Sequence, residues 1–416
     1  MKAFHWGINS SRFTLKKTLV AVLSVVLLLF VLCGCGGENE TTGSKITAPS
    51  VTPYAVHLSF TNSAATGITI SWLLEEDIPS YLEYYPLAAG SFQTAVSVKT
   101  ETEAVFERQA MFCVAQLSGL EPATTYAYHV GNTDYWTETA TFTTAADGEF
   151  TFIYLGDSQR EIDGDPGYAT FNRVLQSVKN RGGSSFLMMG GDLINNSDNF
   201  SEWQDFFEAG RKVFAELPLL PAMGNHDNTQ GYLDVFDLPK NGPQGSEERF
   251  YSFDYNDAHF TVLDCNTLLT EDNLNWLKND LAATDKKWKI AMTHYPVYIA
   301  LQSGRDGTRA AALQEQLAPI LEQAGVDLVL VGHQHCYMRT YPMSQGKPAE
   351  DGRGVTYLMG LSGNKFYASD GNTAEYKAFE LFEVPVYTYI TVKSDCLAIE
   401  TRGLFSGVVD SFEIVK

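Results

Sequence analysis

Five apolar, strand-like segments from residue 150 onwards each end in a short polar segment rich in Gly, Asp, Asn or His. They comprise residues 150–155, 185–189, 217–223, 288–292 and 326–331. Amphipathic stretches of helical period lie among them, at residues 168–178, 200–214, 272–283 and 310–323. This alternation predicts an α/β layer fold with a largely parallel sheet. Loops that follow the carboxyl ends of such strands share one rim, where residues distant in sequence meet.

The residues that follow these five segments are typical metal ligands. They are Asp157, Asp192, Asn225, His294, His333 and His335. Mixed oxygen and nitrogen donors suit two divalent or trivalent metal ions that share one carboxylate. Each residue alone has an ordinary alternative, because a Gly-Asp pair can close a turn and a single histidine can satisfy a local hydrogen bond. Their joint occurrence at five strand ends favours a metal site.

The N-terminus has the layout of a signal peptide. Basic residues precede an apolar run at residues 19–32, which is short for a membrane span and is followed by small residues. The segment Leu32-Cys33-Gly34-Cys35 resembles a bacterial lipobox, with Cys35 as the acylated residue; an uncleaved signal anchor is the alternative. We expect residues 1–35 to be the signal peptide and residues 36–52 a flexible tether. The protein is then exported and lipid-anchored to the outer face of a bacterial cytoplasmic membrane.

The net charge and the cysteines exclude some functions. A formal charge of -21 argues against nucleic acid or an anionic membrane as a partner recruited by the global field, although a local metal ion can still attract phosphate. The remaining cysteines have no metal-binding spacing. We expect them to be buried thiols, with one disulfide left open; they are Cys113, Cys265, Cys336 and Cys396.

Residues 53–145 have a different pattern, with short alternating segments rich in β-branched and aromatic residues. This pattern predicts a small antiparallel sandwich. Residues 117–126 together with Trp72 resemble a fibronectin type III module. His57 and His129 lie on the predicted strands without clustered partners, so we expect both to serve packing. A short polar joint at residues 145–149 precedes the second domain, residues 150–416.

The five motifs together resemble those of the calcineurin-like metallophosphoesterases, and among them the purple acid phosphatases. That branch carries Asp-x-Gly, Gly-Asp-x-x-Tyr, Gly-Asn-His-Asp/Glu, Val-x-x-His and Gly-His-x-His behind a fibronectin-like domain. The resemblance implies an α/β four-layer (αββα) sandwich preceded by an all-β fibronectin type III-like sandwich. It also implies hydrolysis of phosphate monoesters or diesters by attack of a metal-bound hydroxide.

The resemblance assigns a role to each site residue. One metal ion is assigned to Asp157, Asp192 and His335, and the second to Asp192, Asn225, His294 and His333. His226 is implied to be the catalytic acid, or to stabilise the charged phosphoryl group, with Asp227 favouring its protonated state.

Two residues differ from the motifs of the purple acid phosphatases. Asn195 stands where the purple enzymes have a tyrosine, and Gln159 stands where relatives have Gly or His. Their amides can coordinate a metal ion or contact one of its ligands. Because neutral amides donate less charge than phenolate or imidazole, we expect the first metal ion to be held more loosely and to be Mn, Zn or ferrous Fe.

Other polar residues near the motifs are candidates for binding the phosphoryl group or its substituent, with a solvated surface role as the alternative. They are Arg160, Arg309, Arg339, Asn364 and Lys365. The rival to an enzyme is a surface carbohydrate- or protein-binding module with a vestigial metal site, which the fibronectin-like domain and the two altered ligands suggest.

Overall fold

A computed structural model describes residues 52–60, 63–132, 134–160 and 166–416. The predicted signal peptide with Cys35, and all of the predicted tether except its last residue, lie outside these ranges. Within the described ranges, no helix has the length and apolar character needed to cross a membrane.

The first domain consists of eight strands in two antiparallel four-stranded sheets, in the orders β1-β2-β6-β5 and β4-β3-β7-β8. The strands are β1 (Tyr54–Ser59), β2 (Ile68–Leu74), β3 (Tyr81–Pro86), β4 (Val96–Lys99), β5 (Glu101–Val105), β6 (Ala110–Leu117), β7 (Thr125–Gly131) and β8 (Ala140–Thr143). Trp72 and Tyr128 are fully buried among them. The predicted all-β first domain is thereby confirmed.

The second domain contains two sheets, in the orders β11-β10-β9-β21-β22-β23 and β12-β13-β14-β15-β19-β16-β20, and a small hairpin of β17 and β18. The strands are β9 (Phe150–Leu155), β10 (Leu187–Met189), β11 (Leu219–Pro221), β12 (Tyr251–Tyr255), β13 (Ala258–Leu263), β14 (Trp288–Thr293), β15 (Leu328–Val331), β16 (Tyr337–Thr340), β17 (Met343–Ser344), β18 (Lys347–Pro348), β19 (Thr356–Met359), β20 (Lys377–Leu381), β21 (Val386–Val392), β22 (Cys396–Gly403) and β23 (Gly407–Val415). The helices are α1 (Ala169–Arg181), α2 (Phe200–Phe214), α3 (Gln230–Leu233), α4 (Glu271–Ala283), α5 (Gly304–Gln316) and α6 (Ala318–Gln323).

The side chains of β15 alternate between two apolar cores, which shows how the layers pack. Leu328 and Leu330 belong to the large core that also contains the apolar residues of β9 to β11, whereas Val329 and Val331 pack in a second core with residues of α4 to α6. Since successive side chains of a strand point to opposite faces, the sheet lies between the other sheet and a helical layer. Helices α1 and α2 contribute to the large core as well. The predicted four-layer αββα class is confirmed.

Parallel pairing brings the carboxyl ends of the motif-bearing strands together. β9, β10 and β11 are mutually parallel, and so are β13, β14, β15 and β19. The two sheets meet at these ends, where the backbone N–H groups of Ser362 and Gly363 donate to the Asp157 carbonyl at 3.0 and 2.8 Å. The five polar segments therefore line one rim.

The helix predicted over residues 310–323 begins earlier and is interrupted. Helix α5 starts at Gly304, where the Ser303 side chain caps it by accepting a hydrogen bond from the Asp306 N–H. It ends at Gln316, and Pro319 in the first turn of α6 explains the break because proline has no N–H to continue the helix.

The first domain packs directly on α2 of the second. The His57 ring stacks on Phe207 at 4.8 Å and contacts Phe236 at 5.5 Å, and burial lowers its pKa to about 4. His129 stacks between Phe92 and Trp136. Both histidines thus serve packing, as the sequence predicts. The described cysteines are all free and buried, so the structure contains none of the pairings left open above.

Candidate metal centre

Tight backbone turns carry the predicted ligands into the rim. Asp192, His333 and His335 have positive φ angles of 50°, 77° and 48°, a conformation that costs energy for residues with a side chain. Gly224 lets two of these turns approach, because a Cβ there would lie 2.1 Å from the Asp192 nitrogen and 2.2 Å from its Oδ1. Side-chain orientation is thus fixed by the backbone, which is common at functional sites.

One group of donors surrounds His294. Its Nε2 lies 3.3 Å from Asp192 Oδ2, 3.2 Å from Asn225 Oδ1 and 3.2 Å from His333 Nδ1. A second group consists of Asp157, Asp192 and His335, with Asp157 Oδ1 and His335 Nε2 3.6 Å apart. The donor atoms of each histidine–aspartate cluster lie within 4.8 Å of one another, and both clusters contain Asp192.

The second nitrogen of each imidazole is held by a fixed acceptor. Nδ1 of His294 donates to the Gly190 carbonyl at 2.8 Å, and Nδ1 of His335 donates to the Lys365 carbonyl at 2.6 Å. Nε2 of His333 donates to Asp306 Oδ1 at 3.2 Å. These bonds leave the lone pairs of the other three nitrogens directed at the clusters. Acceptors that face one another at about 3 Å need a cation between them, so the donor set fits metal ions.

The electrostatics of the buried groups agree with that fit. Burial raises the pKa of Asp157 to about 7, and the neighbouring Asp192 carboxylate adds to the shift. Burial acts to raise the pKa of Asp192 as well, but the neighbouring His294 outweighs it, so that the Asp192 pKa is lowered. For His294, burial is outweighed by Asp192 and Asp157, and the pKa rises to about 9. In the metal-free protein a proton on His294 therefore takes the place of a cation. Burial lowers the pKa of His335 to about 3 and also that of His333, which keeps both neutral as ligands require.

The side chains of His226 and Asp227 have different hydrogen-bond partners. The Asp227 carboxylate is fully buried and accepts hydrogen bonds from the backbone N–H groups of Leu193, Ile194 and Gly224. The imidazole Nδ1 of His226 donates instead to the Asn195 carbonyl at 2.6 Å. The Asp227 carboxylate holds the turns of the rim together through these backbone donors, and its effect on the protonated state of His226 remains a prediction.

The two departing residues occupy different positions. The Gln159 Nε2 donates to Asp192 Oδ2 at 2.9 Å, and its Oε1 accepts from the Lys365 ammonium. Gln159 therefore touches the shared carboxylate. The Asn195 side chain donates to the Arg160 carbonyl at 3.1 Å, so this amide is used in fixing a loop.

Three of the predicted substrate-binding arginines have other partners. Arg160 pairs with Asp205 at 3.3 Å, and Arg309 donates to the Asn266 carbonyl while stacking on the Tyr295 ring at 4.0 Å. The predicted substrate role of Arg339 is wrong, because its guanidinium forms a bidentate pair with Asp410 and lies over the Phe412 ring. Asn364 lies in the loop after β19, next to Lys365, and remains a prediction.

Sequence reasoning missed Asp306 and Tyr367, which contact His333 and His335. Asp306 is in α5 and binds His333 with one oxygen and the Gln334 amide with the other, at 2.9 Å. The Tyr367 ring stacks on His335 with 4.3 Å between ring centroids. No spacing pattern links these residues to the motifs, although Gln334 lies inside the Gly-His-x-His block and was a signal that could have been followed.

Comparisons with known proteins agree with both domains. Residues 53–144 match the purple acid phosphatase N-terminal domain, and residues 150–337 match the calcineurin-like phosphoesterase family. Acid phosphatase type 7 of Mus musculus is 25% identical over 327 residues, which cover 71% of this chain and 72% of that protein. Purple acid phosphatase 18 of Arabidopsis thaliana is 24% identical, with 79% and 74% covered.

A solved structure of the same type shares the fold. Purple acid phosphatase PPD1 from yellow lupin (Lupinus luteus) superposes with a TM-score of 0.71 at 18% identity, covering 88% of this chain and 74% of that one. The two domain matches, the relatives and the shared fold agree. The chain therefore combines a purple acid phosphatase N-terminal domain with a calcineurin-like phosphoesterase domain, the make-up of a metal-dependent phosphoesterase.

Proposed function

We propose that the protein hydrolyses phosphate esters at a dinuclear metal centre. The observation that carries this proposal is the pair of ligand clusters that share Asp192. A carboxylate common to two clusters would hold two cations near each other, and a pair of cations can stabilise both the attacking and the leaving oxygen of a phosphoryl transfer.

The first metal position would use Asp157, Asp192 and His335, and the second would use Asp192, Asn225, His294 and His333. Two divalent cations bound there supply positive charge that polarises the phosphoryl group and lowers the pKa of a water molecule. The hydrogen bonds described above orient the imidazoles before any metal ion arrives. Manganese, zinc or ferrous iron suits such a set of carboxylate, amide and imidazole ligands.

His226 is the residue that handles the proton of the leaving group. Its Nδ1 hydrogen is used in the bond to the Asn195 carbonyl, so Nε2 is the nitrogen available to substrate. When Nε2 is protonated it donates to the departing oxygen, and the Asn195 carbonyl helps to stabilise the imidazolium. The His226 backbone N–H donates to Asp192 Oδ1 at 2.9 Å, which ties the acid to the shared ligand. The Asp227 carboxylate holds this turn by accepting hydrogen bonds from backbone N–H groups.

The proposed location follows from the N-terminus. We propose that the chain is exported and held at the outer face of a bacterial cytoplasmic membrane by acylated Cys35. A Cys35→Ser substitution is expected to abolish labelling by radioactive palmitate in the producing bacterium, and unchanged labelling would contradict the proposal.

A substrate panel tests the enzymatic proposal. Purified protein stripped with a chelator is loaded with Mn(II), Zn(II) or Fe(II) and assayed with para-nitrophenyl phosphate, bis(para-nitrophenyl) phosphate and a nucleotide. We expect turnover that the chelator abolishes and the metal restores. Absence of turnover with every metal and substrate would overturn the proposal and favour a binding protein with a vestigial site.

A further inference from the structure

The loop after β19 is fixed against the first metal position. The Gly363 N–H donates to the Asp157 carbonyl, and a Cβ at Gly363 would lie 2.3 Å from the Gln159 carbonyl oxygen. Two residues later, the Lys365 carbonyl accepts the hydrogen bond from His335. The Tyr367 ring then covers the face of that imidazole. The backbone of Lys365 is thereby held between residues that the resemblance assigns to the first metal ion.

The side chain of Lys365 also contacts the residues around the first metal position. Its ammonium donates to Gln159 Oε1, and the other end of this amide donates to Asp192 Oδ2 at 2.9 Å. A half-buried cation thus lies one side chain away from the carboxylate that both clusters share. No residue of the resembling motif blocks corresponds to this lysine.

A comparison with Lys377, at the end of the same loop, shows that the Lys365 ammonium has fewer acceptors among the described residues. The Lys377 ammonium donates to the carbonyls of Ala300 and Asn372 and to Glu380, so all three of its N–H groups are used. Among the residues that the structure describes, the Lys365 ammonium has the single acceptor Gln159 and no carboxylate partner. A lysine next to a metal site with two N–H groups unused is suited to an anionic ligand.

We propose that Lys365 binds a terminal phosphoryl oxygen of the substrate and thereby selects phosphate monoesters over diesters. This inference rests on the proposed hydrolysis. A monoester dianion has three unesterified oxygens, and if each of two bound cations took one of them, the third would be left for a further positive group. In a diester that oxygen carries a carbon substituent and no charge, so the ammonium would lose its hydrogen bond and contact the substituent. Lys365 therefore favours binding and hydrolysis of the monoester and contributes no hydrogen bond to the diester.

Three substitutions test the selectivity. In Lys365→Met the length of the side chain is kept and the charge is removed; in Lys365→Arg the charge is kept; and Lys347→Met removes an exposed lysine of the β17–β18 hairpin as a control. For Lys365→Met we expect kcat/KM for para-nitrophenyl phosphate to fall about tenfold to a hundredfold, and for bis(para-nitrophenyl) phosphate less than about threefold. Lys365→Arg recovers part of the monoester rate, and Lys347→Met changes neither.

Equilibrium binding of inorganic phosphate to the Mn(II)-loaded protein gives a readout independent of turnover. Metal content is measured for each variant, so that a lost metal ion is not mistaken for a lost contact. We expect Lys365→Met to bind phosphate about tenfold or more weakly at unchanged metal content. Equal losses for both esters, or unchanged phosphate binding, would overturn the role of Lys365. If the wild type shows no turnover but its phosphate binding depends on Lys365, the proposed hydrolysis fails and the phosphate-binding role of Lys365 stands.

Discussion

The two halves of the metal centre are built differently although they share Asp192. In the second half, His294 Nε2 lies 3.3 Å from the shared carboxylate and 3.2 Å from both the Asn225 amide oxygen and His333 Nδ1, and each imidazole is oriented by an acceptor on its far side. The first half has one imidazole, and the nearby amide of Gln159 donates its N–H to Asp192 instead of offering an oxygen. An ion in the first half is therefore surrounded by fewer strong donors.

The charge around the first half also favours weaker binding of its metal ion. Asn195 stands where the resemblance expects a tyrosinate, and the structure uses its side chain to bind the Arg160 carbonyl. The Lys365 ammonium adds a positive charge close to His335. Losing an anion and gaining a cation disfavours a trivalent ion and weakens the attraction for a divalent one. We therefore expect the ion of the first half to exchange more readily than the ion of the second half.

The largest effect is expected for Asp192→Ala, because it removes the ligand that the halves share. Both positions should lose their ion, and hydrolysis of para-nitrophenyl phosphate should fall to the rate of the chelated wild type. Metal analysis of the purified variant checks this. Retention of one full equivalent of metal would mean that the two halves bind their ions independently, which would contradict the role of Asp192 as their shared ligand.

His226→Ala should separate chemistry from metal binding. We expect the rate to fall by about 10²- to 10⁴-fold, the range for a positioned general acid, with metal content unchanged. The loss should be smaller for a phosphate ester whose leaving group needs no proton, such as a strongly activated aryl ester, than for an alkyl ester. Equal losses for both leaving groups would contradict the acid role.

Asp306→Asn tests the second half alone. The substitution keeps the shape but removes the negative charge that orients His333, so the affinity for the second ion should fall about tenfold to a hundredfold while the first position is unaffected. Titration of the stripped protein with Mn(II) measures both affinities. Asp272→Asn, at an exposed position near the start of α4, is the matched control. Equal weakening of both positions would show that Asp306 supports the fold and not one half of the centre.

His259→Gln should leave the centre unchanged and affect only stability. Burial alone would lower the pKa of His259, but Asp254 and Asp280 raise it from 6.5 to about 9. Because the folded pKa exceeds the unfolded one, this stabilisation is complete below pH 6.5 and is lost as the pH rises through about 9. We expect the variant to lose roughly 1–3 kcal/mol of unfolding free energy at about pH 6 and much less at about pH 10, by urea denaturation. A difference that is constant with pH would contradict the ion-pair assignment.

The sequence predicts features that depend on local pattern. The strand ends and most helices could be predicted because apolar period and turn residues are local signals. The start of α5 could not, since residues 304–309 lack apolar periodicity and depend on the Ser303 cap. The partners of Asp227 could not be predicted either, because the backbone turn directs the adjacent side chains of His226 and Asp227 to different groups. Asp306 reaches His333 only through tertiary packing, whereas Lys365 could be proposed from the sequence but its contact with Gln159 could not.

The most direct test of the unequal halves is metal retention during dialysis. Protein loaded with two equivalents of Mn(II) is dialysed against metal-free buffer, and its metal content is followed by mass spectrometry together with its phosphatase activity. We predict two phases, in which the first equivalent leaves well before the second and activity falls with the first. Two ions that are retained equally and leave in a single phase would contradict the account.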